Sequence, residues 1–329
     1  MAVRSAVMVL AFGVALLSWP LQSAAQQPGK IHKIGVLLAA SPAIAAPWIV
    51  IGKSALREIG YVEGRNLAIE YRYASGQYDL LPVHAAELVK LNVDLIVALG
   101  DITIEAARQA TRTTPIVMIS GGDPVGAGFV ASLAHPGGNV TGVASLIPDI
   151  NPKMLSLLKE AVPRATRIGV LWNPASRGGV LGYKGMQEAA RGLGVTLSSY
   201  ETRRGVDFDG VFASMVKERT EAMVVLTDPQ TFNQRDRIRD LAARNRIPAM
   251  YEIREFVDDG GLMAYGPSLA GMIQRSVFYV DKVLKGARPA DLPVEQPTKF
   301  ELVINRKALK ALGLTLPRAV LLRADQVIE

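Results

Sequence analysis

Residues able to perform catalysis or bind a metal are few in this sequence and lie far apart. The histidines are His32, His84 and His135, and none of the 329 residues is a cysteine. No two histidines have the spacing of metal ligands, and a histidine without a second ligand nearby is more often structural. The sequence therefore predicts no metal site.

Motifs of nucleophilic and cofactor-dependent enzymes are also missing. No Gly-x-Ser-x-Gly elbow occurs, and no Gly-x-Gly-x-x-Gly follows a predicted strand with an acidic partner. The triplet Gly52-Lys53-Ser54 resembles the end of a phosphate-binding loop, but Pro47 occupies the upstream glycine position and the triplet falls within a predicted helix. We therefore expect no catalytic residue, no cofactor and no enzymatic activity.

Small polar residues at the ends of predicted strands are the remaining functional candidates. Ligands of open parallel sheets bind beyond the carboxyl ends of the strands, where loops lead into helices. Ser, Thr, Asp and Asn are also the preferred helix N-caps, so each residue alone is more simply a cap. Two facing sets would instead form a cleft for a small polar molecule. The candidates are Ser41, Gly100, Asp101, Thr103, Gly122 and Asp123 in the first half, and Asn173, Thr227, Asp228 and Tyr251 in the second.

The elements that would position these residues occur twice along the chain. In the first half, apolar runs and helical spacing predict strands at 34–38, 67–73, 94–100 and 116–119, and helices at 47–59, 78–90 and 102–110. Strands at 168–172, 221–227 and 247–251 repeat the order, and Gly192 repeats the helix-ending Gly60. The repetition predicts two α/β lobes, each a parallel sheet with helices on both faces.

Two further regions bear on how the lobes are connected. Residues 121–143 contain seven glycines and two prolines, which predicts the first crossing between lobes and one wall of a cleft, with 139–143 carrying the chain across. After the second repeat, a strand at 262–265, a helix at 268–285, a strand at 300–304 and a helix at 306–312 are predicted. These additions would extend each sheet in turn, so we expect three crossings.

Residues 1–25 have the composition of a cleavable signal peptide. Arg4 is the only charged residue before Lys30, residues 6–17 are apolar, and Ser23-Ala24-Ala25 offers a cleavage site. The apolar run is shorter than the roughly 20 residues that span a membrane, which favours cleavage over retention as an anchor. Because no cysteine can carry a lipid, we expect a soluble periplasmic protein that is not a lipoprotein. Its net charge of +7 is dispersed, so nucleic-acid binding is not expected.

Several segments resemble the substrate-binding components of ABC uptake systems, in the family that includes the tryptophan-binding type. The segments are 123–128, 136–142, 260–266, 284–287, 292–297, 300–305 and 323–325, and the resemblance covers essentially the whole mature chain. It implies a periplasmic-binding-protein fold of type I, with two Rossmann-like lobes of parallel sheet and a three-segment hinge. We assign 31–143 plus 263–290 to the N-terminal lobe and 144–262 plus 291–329 to the C-terminal lobe.

The resemblance also implies a function. The protein would be a monomer that closes on a small polar solute, an amino acid or a related small organic molecule, and delivers it to an ABC permease in the inner membrane. An exported sensory or enzymatic protein on the same fold is the alternative, because fold does not fix function. The lack of a nucleophile–base set counts against the enzyme.

One residue departs from the pattern that the resemblance implies. Members of the family commonly carry Gly or Thr followed by Pro after the third strand, where this chain has Asp101-Ile102. An ionised Asp101 would repel a ligand carboxylate by roughly 1–4 kcal/mol at about 4 Å. The ligand is therefore expected not to be a plain aromatic amino acid, or to present an amine or hydroxyl to Asp101. The small loop at Ser41 also lacks the bulk to stack on an aromatic ring.

Overall fold

The structure is a computed structural model that describes residues 30–120, 122–145, 150–203, 205–297 and 300–329. The expected signal peptide, residues 1–25, lies outside this part of the chain. From His32 onward the chain forms one unit. No helix among the described residues is long and apolar enough to cross a membrane.

The first lobe is built on a five-stranded parallel sheet. Its strands are β1 (His32–Leu38), β2 (Leu67–Tyr73), β3 (Leu95–Leu99), β4 (Ile116–Ser120) and β5 (Val140–Ala144). They lie in the order β2-β1-β3-β4-β5. The connecting helices are α1 (Pro42–Glu58), α2 (Leu81–Lys90) and α3 (Asp101–Ala110).

The second lobe repeats this order and adds two strands at one edge. Its strands are β6 (Arg167–Trp172), β7 (Thr196–Glu201), β8 (Ala222–Val225), β9 (Ala249–Tyr251), β10 (Met263–Pro267), β11 (Phe300–Asn305) and β12 (Gln326–Ile328). Their order is β12-β11-β10-β9-β8-β6-β7, and only the β10–β11 pair is antiparallel. The remaining helices are α4 (Asn151–Ala161), α5 (Arg177–Leu193), α6 (Phe208–Lys217), α7 (Pro229–Asn233), α8 (Arg235–Arg244), α9 (Glu255–Asp258), α10 (Leu269–Leu284), α11 (Arg306–Leu312) and α12 (Arg318–Arg323).

Strand β10 corrects the lobe boundary drawn from the sequence, which placed 263–290 in the first lobe. Met263 pairs with Met250 of β9 and with Ile304 of β11, so β10 is the fifth strand of the second sheet. The helix that follows, α10, packs on the first lobe, against α1 and strands β3 to β5, and residues Pro289–Asp291 contact β5. The boundary therefore falls between Pro267 and Leu269.

The chain passes between the sheets three times, as the sequence predicts, but the first passage comes later than expected. Val140–Ala144 is the edge strand β5 and is buried throughout, so the chain leaves the first lobe after Ala144. The third passage is tied to the same strand. The backbone N–H of Glu295 donates to the Gly142 carbonyl at 3.0 Å, and the N–H of Ala144 donates to the Glu295 carbonyl at 2.9 Å.

Two helix boundaries also differ from the predictions. Helix α1 begins at Pro42 rather than Pro47, because the Ser41 hydroxyl accepts a hydrogen bond from the Ile44 N–H at 3.4 Å and Pro suits the first helical position. Helix α5 continues past Gly192 and ends at Gly194, which has a φ of +63°. Such a left-handed residue is the usual end of a helix, and glycine adopts it without strain.

Candidate functional site

A cavity of about 550 Å³ lies between the two lobes, beside the carboxyl ends of the parallel strands. The first lobe contributes the segments that follow β1, β3 and β4, and the second lobe those that follow β6, β8 and β9. Pockets of about 300–1,000 Å³ are typical for small-molecule ligands. The loops leaving the strands thus enclose a space suited to a small solute.

Six of the ten predicted site residues line this cavity. They are Gly100, Asp101, Gly122, Asn173, Thr227 and Asp228. The first three belong to the first lobe and the others to the second, so the two predicted sets face each other across the cleft.

The other four predicted residues do not line the cavity. Ser41 caps α1, and the fully buried Thr103 donates its hydroxyl hydrogen to the carbonyl that precedes α3, at 2.7 Å. The Asp123 carboxylate accepts two backbone N–H bonds within its own loop. Tyr251 is buried in the core and its ring stacks on that of Phe256 at 4.4 Å. In the structure these four residues thus cap helices, stabilise a loop or pack in the core. That they contact a ligand stays a prediction.

Asp101 is held in the first-lobe wall in a fixed orientation. The Ser120 hydroxyl donates to its Oδ1 at 2.5 Å, and the Gly122 N–H donates to the Ser120 hydroxyl at 3.1 Å. A Cβ on Gly122 would lie 2.1 Å from Asp101 Oδ2, so the carboxyl group fits here only beside glycine. Burial raises the pKa of Asp101, and hydrogen bonds from Ser120 and Gly122 oppose that rise.

Asn173 and Asp228 form a connected pair in the opposite wall. The Asn173 amide donates to Asp228 Oδ2, and Asp228 Oδ1 accepts a hydrogen bond from the Thr231 N–H at 2.8 Å. The Thr231 hydroxyl in turn accepts from the Asp228 N–H at 2.9 Å, which completes a capping box at the start of α7. Both carboxyl oxygens of Asp228 are therefore engaged within the protein, and the pair fixes where α7 enters the cleft.

Glu252 lines the cavity where the sequence had favoured its neighbour Tyr251. It is 2% exposed, and its Oε2 accepts a hydrogen bond from the Thr227 N–H. Burial raises the pKa of Glu252 to about 8, against the opposing effect of that hydrogen bond. At neutral pH the Glu252 carboxyl group is therefore mainly protonated and uncharged.

Arg177 is the one basic side chain among the described residues that line the cavity. It is the first residue of α5 and extends toward the first lobe. Its Nη2 lies 2.8 Å from the position that a Cβ on Gly126 would occupy, and Asp123 Oδ2 lies 2.1 Å from the same position. The cavity is therefore lined by one cation from the second lobe and by the carboxyl groups of Asp101 and Glu105 from the first. Arg177 was not among the site residues predicted from the sequence, although it follows Asn173 by only four residues.

Aromatic rings line the cavity on both sides of the cleft. Trp48 of α1 and Phe232 of α7 both line it, and their ring centroids are 5.1 Å apart across the cleft. Tyr78, in the segment that follows β2, and Phe129, in the loop that follows β4, contribute two more rings. Together with the aliphatic lining they make the cavity mainly apolar, so an aromatic ligand does not depend on the loop at Ser41. The helical spacing of Trp48 and Phe232 gave no sign of this role, because core-facing aromatics have the same pattern.

The histidines lie apart from the cavity and from one another. His32 Nδ1 is 3.8 Å from Asp94, and His84 Nδ1 is 3.6 Å from Glu87. His135 is exposed in the loop after β4. In the described ranges, no group of three His, Cys, Asp or Glu side chains is arranged to hold a metal ion.

Comparison with known proteins agrees with this architecture. The sequence profile of the family described as ABC transporter substrate binding protein matches residues 48–328. A tyrosine-binding protein of Clostridioides difficile is 28% identical over 260 residues, which cover 79% of this chain and 74% of that protein.

Two solved structures resemble the chain over most of its length. The ABC domain from Streptococcus pneumoniae in complex with L-Trp is 26% identical, with a TM-score of 0.83 over 90% of this chain and 99% of that one. The ligand-free, open structure of a substrate binding protein with adhesive properties from Clostridium difficile is 25% identical, with a TM-score of 0.66 over 91% and 99%. At nearly equal identity, the backbone of this chain thus superposes better on the L-Trp complex than on the ligand-free structure.

The predicted type I periplasmic-binding-protein fold is confirmed by these neighbours and by the two sheets. The family profile covers far more than half of the sequence, and the cavity lies between the lobes at the strand ends. This chain belongs to the ABC transporter substrate binding protein family.

Proposed function

We propose that this protein is the substrate-binding component of an ABC importer, which takes up a small solute between its lobes and delivers it to a membrane permease. The main support for this proposal is the interlobe cavity, because residues of both lobes line it and a ligand bound there would contact both lobes at once. A ligand that binds the closed form better than the open one shifts the protein toward closure. We further propose export to the periplasm through cleavage after Ala25, and action as a monomer.

The proposed ligand is an amino acid with an aromatic or large apolar side chain. The rings of Trp48, Phe129 and Phe232 offer a surface for such a side chain. Asp101 and Arg177 supply opposite charges for the ammonium and carboxylate groups of a zwitterion. In this arrangement the amine faces Asp101, which avoids the repulsion expected for a carboxylate. The tyrosine-binding relative and the L-Trp complex support the same ligand class.

Mass spectrometry of small molecules released from the purified protein tests the ligand class without prior assumption. After unfolding, dialysis and refolding, calorimetry with L-tryptophan, L-tyrosine and L-phenylalanine measures each affinity. A ligand at 100 times its dissociation constant should stabilise the protein by about 2.7 kcal/mol in thermal unfolding. Release of a solute that is not an amino acid, with no binding of the three probes at millimolar concentration, would contradict the proposed ligand.

Removing either charge should weaken the binding of the amino acid by about 10- to 100-fold, since hydrogen bonds to charged groups contribute about 1.5–3 kcal/mol. For Asp101→Asn the loss should vanish when the amine of the probe is blocked, as in N-acetyl-L-tryptophan. For Arg177→Gln it should vanish when the carboxylate is absent, as in tryptamine. Arg191→Gln, an exposed site on the same helix, is the matched control. If the two variants lost affinity equally for every probe, the assignment of the amine and carboxylate ends would be wrong.

A further inference from the structure

Gly126 lies in the turn that follows β4, and its backbone does not require glycine. Its φ is not in the left-handed region, unlike that of Gly128 in the same turn, which is +71°. The need for glycine comes instead from the space beside it. A Cβ on Gly126 would lie 2.1 Å from Asp123 Oδ2 and 2.8 Å from Arg177 Nη2, both closer than real Cβ atoms come to other atoms. Two charged side chains, one from each lobe, thus end at this point.

The Asp123 carboxylate is held in place by its own turn. Its Oδ1 accepts hydrogen bonds from the N–H groups of Val125 and Gly126, at 3.1 and 2.9 Å. The Asp123 carbonyl accepts a further hydrogen bond from the Ala127 N–H at 2.9 Å, which closes the turn. The other carboxyl oxygen, Oδ2, is the one directed at the space beside Gly126. The first lobe therefore presents one fixed carboxylate oxygen toward the second lobe.

Arg177 reaches the same point from the start of α5. The Ser176 hydroxyl caps this helix by accepting a hydrogen bond from the Gly179 N–H at 3.2 Å, which fixes the backbone of its first turn. The Arg177 side chain is exposed and has several rotatable bonds, so without a partner it would adopt many rotamers. Its guanidinium carries five N–H donors, more than one carboxylate can occupy. Arg177 can therefore face Asp123 and still donate to a ligand in the cavity that it lines.

We propose that Asp123 and Gly126 form a socket that positions the Arg177 guanidinium for the carboxylate of the ligand. The Asp123 carboxylate attracts the guanidinium, and the missing side chain of Gly126 leaves room for both groups. Holding the guanidinium in one orientation lowers the conformational entropy that ligand binding would otherwise cost. Asp123 and Gly126 are thus positioning residues that act through Arg177. This inference rests on the proposed binding of an amino acid in the cavity and adds to it the role of the turn.

Gly126→Ala tests the socket with little expected effect on folding. The atoms that its methyl group meets are the ends of two side chains, which can move aside, and not backbone. The melting temperature should therefore stay within about 2 °C of the parent. Calorimetry should show that L-tryptophan binds about 5- to 20-fold more weakly, because the displaced guanidinium no longer meets the carboxylate. Tryptamine, which has no carboxylate, should bind to the variant and to the parent alike.

Gly138→Ala is the matched control, because it adds the same methyl group in the same segment and no atom lies within 4 Å of it. It should bind both probes as the parent does. In an Arg177→Gln background, Gly126→Ala should change the affinity for L-tryptophan by less than about 2-fold, because no guanidinium is left to position. An equal loss in both backgrounds would show that the methyl group acts by another route and would overturn the proposal.

Asp123→Asn separates the charge of the socket from its shape. The amide oxygen of Asn can still accept the two N–H bonds of the turn, but the attraction for the guanidinium is lost. Binding of L-tryptophan should weaken by about 2- to 5-fold, as for a charge pair near the surface. Glu58→Gln, at an exposed position on α1, removes one charge elsewhere in the first lobe and should leave binding unchanged. Tighter binding by Asp123→Asn would show that Asp123 competes with the ligand for Arg177, against the positioning role.

The same titrations distinguish failure of the socket from failure of the proposed function. If the parent binds L-tryptophan and Gly126→Ala binds it equally well, the socket has no role in binding and the proposed function stands. If the parent binds none of L-tryptophan, L-tyrosine and L-phenylalanine at millimolar concentration, the proposed ligand class is refuted, and the positioning role with it.

Discussion

Between about pH 5 and pH 9 the free energy of unfolding is expected to fall by up to about 5 kcal/mol, because Glu252 is buried in the cavity wall. Its pKa in the folded protein is about 8, against an ordinary value of 4.5. Below about pH 4.5, the carboxyl group is protonated in both the folded and the unfolded state, so the difference between its two pKa values does not change the free energy of unfolding. Above it, the unfolded chain releases the proton while the folded protein retains it, so stability falls by about 1.4 kcal/mol per pH unit until the folded pKa is passed.

Glu252→Gln isolates this contribution from that of the other titrating groups. The amide oxygen of Gln can still accept the hydrogen bond from the Thr227 N–H, but the side chain has no proton to lose. Urea unfolding at a series of pH values should therefore show a much flatter profile for this variant. Glu188→Gln, at an exposed position on α5, should follow the parent. Equal slopes for the parent and Glu252→Gln above pH 5 would show that Glu252 ionises normally in the folded protein.

Gly142→Ala is expected to destabilise the protein by about 3 kcal/mol or more, since overlap with a neighbouring backbone and an unfavourable φ act together. Gly142 lies in β5 with a φ of +136°. A Cβ there would be 2.2 Å from the Met118 carbonyl oxygen and 2.8 Å from the Met118 nitrogen of β4. Backbone atoms within a paired sheet cannot move aside as a flexible side chain could.

Thermal unfolding of Gly142→Ala should show a melting temperature lower by about 5 °C or more, at about 1.6 °C per kcal/mol for roughly 300 folded residues. Gly138→Ala is the matched control in the same segment, because no atom lies within 4 Å of its added Cβ. Its melting temperature should stay within about 2 °C of the parent, as is usual for surface changes. If both variants melted alike, β5 would tolerate a side chain where the structure leaves no room for one.

Strands were the most predictable part of the fold, because buried parallel strands are short apolar runs bounded by turn residues. The prediction for 67–73 agrees with β2 at both ends. The lobe to which 263–267 belongs could not be read from the sequence, because the pairing of β10 with β9 and β11 depends on contacts between distant segments. The first crossing was misplaced for a related reason. Glycine-rich sequence predicts loop, yet Gly142 lies in a strand that needs its unusual φ.

The residues of the candidate site also fall into those that could be predicted from the sequence and those that could not. Residues directly after strands, such as Asp101 and Asn173, could be predicted to line the cleft because the carboxyl ends of parallel strands share one edge. Trp48, Phe232 and Asn233 could not, because they lie within or at the end of helices and reach the cavity only through the arrangement of the lobes. The sequence pattern of a helix indicates which face is apolar, but not whether that face meets a core or a cavity.

The two passages of the chain that follow β5 and β10 exchange helices between the lobes. After the first repeat, α4 packs against α5, β8 and β9 of the second lobe. After the second repeat, α10 returns to pack against α1 and the first sheet. Each half of the chain thus supplies a helix that covers the hydrophobic surface of the other half's sheet. Neither half of the chain completes the core of a lobe on its own, so we expect the two lobes to fold and unfold as a single cooperative unit.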